Sequence, residues 1–132
     1  MVIDTSALLT IFLNEPEAPQ IEQAINADAV RLISTATVLE TSIVVEARLG
    51  DSGGRELDLL LREAALEIVP VDRDQLDIAR GAYRKYGKGR HAAGLNFGDC
   101  FAYSLSKATG EPLLCKGDDF PKTDVVLVPL SW

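Results

Sequence analysis

Met1-Val2-Ile3-Asp4-Thr5-Ser6-Ala7-Leu8 opens the chain, and its reading decides the fold. Three apolar residues followed at once by a carboxylate and two hydroxyls read as a short buried strand ending on Asp4. Thr5 and Ser6 then offer cap hydroxyls to a helix over residues 7–13. Working outward, the breaker Asn14-Glu15-Pro16 precedes a surface helix over 17–27, with Ile21, Ala24 and Ile25 at helical spacing as its one buried stripe. Residues 30–34 form the next strand, after which Thr35 caps a helix that runs to Leu49 and is closed by Gly50. Residues 51–54 are expected as a loop. Leu57, Leu60, Leu61 and Ala64 recur at i, i+3, i+4 and i+7 and predict a helix over 55–65. A strand over 66–71 follows, then a helix capped by Asp72 with Leu76, Ala79, Ala82 and Tyr83 on its apolar face. Four glycines between residues 87 and 98 mark a flexible loop, and helical spacing resumes from Asp99 to Gly110. Strands over 112–115 and 125–128 flank a polar turn over 116–121. Short apolar strands alternating with helices imply a mainly parallel sheet covered on both faces, hence a three-layer α/β/α single domain over residues 1–132.

Composition agrees with a folded domain. The chain of 132 residues is 47% hydrophobic and 25% charged, far from the composition of disordered segments. Its formal net charge of −7 at first argues against nucleic acid, whose binding rests on Lys and Arg. Cys100 and Cys115 are the only thiols and lack metal-ligand spacing with histidine, which excludes a disulfide scaffold and a zinc site and favours the reducing cytoplasm. No basic-then-apolar leader and no membrane-length apolar run are visible, so no membrane partner is expected. The sequence lacks GxxxxGK[ST], which rules out a nucleotide-binding P-loop, and the first strand lacks the paired acids of a phosphoryl-acceptor receiver domain.

Ligands of an open parallel sheet bind beyond the carboxyl ends of its strands. Asp4 follows the first strand, and Asp118 and Asp119 follow the strand over 112–115, so both sets can project from one edge. Asp99 stands at or near the start of its helix, and Glu40 sits between Leu39 and Ile43 on a helix with mostly apolar surroundings. Three or four carboxylates in one pocket repel one another unless a cation joins them. All-oxygen ligation suits Mg²⁺ or Mn²⁺, which points to phosphodiester chemistry. Taken singly, Asp4 and Asp99 read equally as helix caps and Asp118-Asp119 as a plain turn.

The opening Asp4-Thr5-Ser6, the helical Glu40 in Thr37-Val-Leu-Glu40, the segment Leu95-Asn-Phe-Gly-Asp99-Cys-Phe-Ala102-Tyr103 and the turn Lys116-Gly-Asp118-Asp119-Phe120 together resemble the motifs of PIN-domain ribonucleases. The resemblance is to VapC toxins of bacterial toxin–antitoxin pairs in particular, and it spans essentially the whole chain. It implies an endoribonuclease dependent on Mg²⁺, with Mn²⁺ as a substitute, that cuts structured RNA such as tRNA or rRNA to halt translation. It further implies Asp4 and Asp99 as principal metal ligands and Glu40 as a ligand directly or through water, with Thr5 and Ser6 as supporting polar groups. Many family members carry an Asp two places before an Asp-Phe pair; here that place is Gly117, which leaves Asp118 and Asp119 both open as the fourth catalytic carboxylate. A VapB-type antitoxin that places a basic side chain in the pocket, and a homodimer, are the implied protein partners. Leu9, Phe12 and Leu13, with Ile21 and Ile25 nearby, are candidate apolar surface for the antitoxin.

Between Arg73 and His91, six Lys and Arg stand against two Asp, a local balance of +4 that leaves −11 to the remaining residues. Arg84, Lys85, Lys88 and Arg90 are therefore the candidate RNA-binding cations, with Tyr83, Tyr86 and Phe97 as stacking candidates. The net charge is thus a sum over unlike regions. Two other readings stand beside the toxin: a PIN-fold nuclease of RNA processing, and a catalytically inactive protein-binding module.

Overall fold

A computed structural model describes residues 1–130. Four parallel strands form one sheet: β1 (Val2–Ile3), β2 (Leu32–Ser34), β3 (Glu67–Val69) and β4 (Leu113–Leu114), in the order β3-β2-β1-β4. The registers pair Val2 with Leu32 and with Leu113. Side chains of successive strand residues leave opposite faces, and the core divides accordingly. Val2 and Leu113 pack with helices α5 (Arg73–Tyr86) and α6 (Phe97–Thr109) on one face. Met1, Ile3 and Leu114 pack on the other with α1 (Thr5–Phe12), α2 (Ala18–Ala27), α3 (Thr35–Leu49) and α4 (Asp51–Glu63). The result is the expected three-layer α/β/α architecture with a parallel sheet.

Several local expectations are corrected. Residues 51–54 are the first turn of α4 rather than a loop, and Gly50 alone makes the corner at φ 70°. Gly53 permits this because a Cβ there would lie 2.7 Å from the Val45 carbonyl, so α4 packs directly beneath α3. Ser34, not Thr35, caps α3, and Asp4 rather than Thr5 or Ser6 is the cap of α1. The inward face of α5 is Gln75, Ala79, Ala82 and Tyr86, whereas Leu76 and Tyr83 are exposed. The true stripe runs at i, i+4, i+7 and i+11: it keeps Ala79 and Ala82 but takes Gln75 in place of Leu76 and Tyr86 in place of Tyr83. Ile21 and Ile25 form the buried stripe of α2 that their spacing predicts, which removes them from the candidate antitoxin surface.

The glycine-rich stretch before α6 is anchored rather than free. Leu95 is fully buried, and it exchanges backbone bonds with Tyr86 and Lys88 across a single parallel bridge at Gly87 and Leu95. The helix begins two residues before Asp99, because Asn96 accepts the Asp99 N–H and Asp99 accepts the Asn96 N–H, a reciprocal capping box. The expected strand over 125–128 is reduced to one bridge, Leu113 with Leu127, so it only extends the edge beyond β4. No helix among the described residues is long and apolar enough to cross a membrane.

Candidate active site

The chain leaves β1 toward β2 on one side and returns to β4 on the other, so the strand order reverses between β1 and β4. That reversal opens a crevice beyond the carboxyl ends of the two strands. Asp4 lies there, buried, with its backbone N–H bonded to the Leu114 carbonyl at 3.0 Å. Its Oδ2 accepts both the Ser6 N–H at 3.0 Å and the Ser6 hydroxyl at 2.6 Å. Ser6 Oγ in turn accepts the Lys116 N–H at 2.9 Å, which ties the end of β4 to the Asp4 side chain. The Lys116 ammonium is spent on Glu15 at 2.6 Å and Glu17 at 3.0 Å, so it is held away from the carboxylates of the crevice.

Glu40 enters from α3. Its Oε1 accepts the Thr5 hydroxyl at 2.5 Å, and Thr5 Oγ1 lies 3.2 Å from the Thr41 hydroxyl, which donates to the Thr37 carbonyl at 2.8 Å. The apolar surroundings expected of Glu40 are not what holds it. Leu39 and Ile43 face solvent at 62% and 60% exposure, while Glu40 points inward to hydroxyls. The helix is amphipathic in the reverse sense at this turn. Thr41, fully buried behind Thr5, was missed by sequence reasoning; its spacing of four from Thr37 was the available signal.

Asp99 arrives on the first turn of α6, with its Oδ2 fixed by the Asn96 N–H. The three carboxylates share one field. Burial pushes the Asp4 carboxyl up from 3.8 to about 6, opposed by the two Ser6 hydrogen bonds and reinforced by the Asp99 and Glu40 charges. Asp99 is also raised, first by burial and then by Glu40 and Asp119, against the lowering effect of the Asn96 N–H. Asp119, exposed and just ahead of the 3₁₀ turn Phe120–Lys122, thus reaches the field of Asp99; Asp118 faces the groove lined by Cys115, Gly117 and Pro121 instead.

Each of the three central carboxylates has one oxygen held by a donor of this chain. Asp4 Oδ1, Glu40 Oε2 and Asp99 Oδ1 have no hydrogen-bond partner among the described residues. No three His, Cys, Asp or Glu among the described residues stand close enough to enclose an ion outright. A hard, all-oxygen donor set with raised carboxyl pKa values nevertheless fits a divalent cation that keeps most of its water. Arg84, Lys85, Lys88 and Arg90 are all exposed, with the Lys85 ammonium 5.1 Å from the centre of the Tyr86 ring. Tyr86 is buried against His91 and Tyr103, which removes it from the stacking candidates, and Phe97 stands 79% exposed beside the crevice.

A parallel α/β/α sheet with carboxylates from β1, α3 and α6 gathered at its switch point defines a class, and residues 1–126 match the family model for the PIN domain. The chain belongs to the PIN-domain family, within its VapC-type ribonuclease toxins. Ribonuclease VapC30 of Mycobacterium tuberculosis is 59% identical over 130 residues, 98% of this chain and 99% of its own length. Ribonuclease VapC of Mycolicibacterium smegmatis is also 59% identical, over 97% of this chain and 99% of its own. Among solved structures, the fold is similar to VapC20 of Mycobacterium tuberculosis, described as a Sarcin-Ricin loop cleaving toxin. That match has a TM-score of 0.78 at 15% identity, over 96% of this chain and 97% of that one.

Proposed function

We propose that the chain is the toxin of a toxin–antitoxin pair, a single-domain endoribonuclease that requires Mg²⁺, or Mn²⁺ in its place, and hydrolyses structured RNA to arrest translation. The observation that carries the reading is that Asp4, Glu40 and Asp99 lie near enough at the switch point for their charges to act on one another, each with one oxygen fixed and one unpartnered. These three would hold the cation, and Asp119 is the better placed fourth carboxylate because it alone of the Asp118-Asp119 pair acts on Asp99. When bound, the cation supplies an activated water and charge stabilisation at the phosphate. Thr5 orients Glu40 and Ser6 orients Asp4, so each ligand is held before substrate arrives. Arg84, Lys85, Lys88 and Arg90 neutralise RNA phosphates at the rim. Cytoplasmic residence accords with two free thiols.

A VapB-type antitoxin is the cognate partner in this reading. Its basic side chain would compete with the cation for the same carboxylates. A groove of about 410 Å³ between α1, α2 and α4 suits its apolar segment, with Ile11, Phe12 and Leu60 on the floor and Glu22, Glu56 and Glu63 around it. Self-association belongs to a different face. Phe97 projects between two hollows of about 360 and 370 Å³, and a projection beside a matching hollow is what a two-fold homodimer needs.

The test is brief induction of the chain in cells, with sequencing of RNA 5′ ends, beside Asp4→Asn and Glu40→Gln. Cleavage of one RNA family by the unaltered chain alone, lost with EDTA in purified form, supports the proposal. Equal cleavage by the variants, or none by any chain, overturns it.

A further inference from the structure

Glu40 meets α6 at a point where no side chain is tolerated. A Cβ built on Gly98 would fall 1.8 Å from Glu40 Oε2, 2.5 Å from its Cδ and 2.8 Å from its Oε1, all inside van der Waals contact. Gly98 lies between Phe97 and Asp99 on the first turn of α6, where glycine is a poorer helix residue than alanine. Its backbone is not left-handed, since positive φ among the glycines is confined to Gly50, Gly89, Gly94, Gly110 and Gly117. Neither helix propensity nor turn geometry therefore accounts for glycine at this position. The remaining cause is the carboxylate lodged against its Cα.

We infer that Gly98 is a positioning residue for Glu40, leaving the space in which the α3 carboxylate stands between the Thr5 hydroxyl and the start of α6. The inference rests on the proposed cation site and adds to it a residue with no functional group of its own. The opposing atom is the far end of a flexible side chain, so an added methyl would be relieved by rotation of Glu40 rather than by separation of α3 from α6. Rotation would break the Thr5 bond to Oε1 and carry the unpartnered Oε2 away from the field it shares with Asp4 and Asp99. The fold would survive and the site would be spoiled.

A double-mutant cycle on the full chain tests this, with Mg²⁺ alone as the probe and its affinity read by titration calorimetry. Gly98→Ala is expected to weaken Mg²⁺ binding about tenfold or more. In the Glu40→Ala background, where no carboxylate remains to displace, adding Gly98→Ala should change the affinity by less than about twofold. An equal loss in both backgrounds, or none in the unaltered one, overturns the inference. If Gly98→Ala alone fails to fold while the double variant folds, the collision with Glu40 is upheld; failure of both to fold overturns it. Should Asp4→Asn and Glu40→Ala both bind Mg²⁺ as the unaltered chain does, the cation-site reading itself fails. If they lose Mg²⁺ and Gly98→Ala keeps it, only the role of Gly98 falls.

Discussion

Asp4→Asn should make the cation-free protein more stable while disabling it. The carboxyl of Asp4 titrates near 3.8 when free and is raised to about 6 in the fold, chiefly by burial. Below pH 3.8 it is protonated in both folded and unfolded chains, and it favours neither. As pH rises from 3.8 to about 6, the unfolded chain ionises freely while the folded one resists, so stability falls through this window. Above about 6 the loss is complete. At 1.36 kcal/mol per pH unit it amounts to about 3 kcal/mol, or roughly 10 °C in Tm for a domain of this size. Asparagine has no charge to bury, and its oxygen still accepts from Ser6. In EDTA at pH 7.5, urea unfolding should therefore place Asp4→Asn above the parent by up to about 3 kcal/mol, with the gap closing toward pH 4. Mg²⁺ should raise the parent by mass action and leave the variant nearly unmoved. A variant no more stable than the parent at pH 7.5, or a gap independent of pH, would refute the reasoning. The desolvation cost carried by Asp4 is the expected signature of a site built for a cation rather than for stability.

Asn96→Ala removes one half of the capping box of α6 and should lower unfolding free energy by about 1 kcal/mol in urea titration. Replacing Lys88 and Arg90 together by Ala should reduce the slope of log affinity against log salt for single-stranded RNA by about 1.4; an unchanged slope would assign both cations to solvent. Phe97→Ser, at a side chain 79% exposed, should convert a dimer to a monomer in sedimentation while leaving Tm within a few degrees. Burial raises the thiols of Cys100 to about 11 and Cys115 to about 12, so both should resist alkylation at pH 8 until the chain is unfolded.

Asp4 and Glu40 stood out in the sequence as candidate site residues for different reasons. Asp4 follows from a short-range rule, a carboxylate directly after a buried parallel strand, and the structure places it at the strand's end as that rule requires. Glu40 was singled out for apolar surroundings that turn out to be solvent-facing, and what holds it is Thr5, 35 residues away in sequence. Which of Asp118 and Asp119 comes nearer Asp99 depends on how the turn after β4 approaches α6, which no local pattern encodes.

Local periodicity, caps and breakers settled the number and type of most elements by themselves, because a helix or a buried strand is specified by residues within a few positions of one another. The sequence alone also supplied the motif order that marks a PIN domain and resolved the acidic total into a basic stretch and an acidic remainder. Tertiary structure decided the rest. It alone fixed which face of α5 is buried, that residues 51–54 are helical beneath α3, and that Phe97 stands open. It alone revealed that Gly98 lies against Glu40. Each depends on where one helix meets another, and contacts between elements distant in sequence are set by packing of the whole core rather than by any local run of residues.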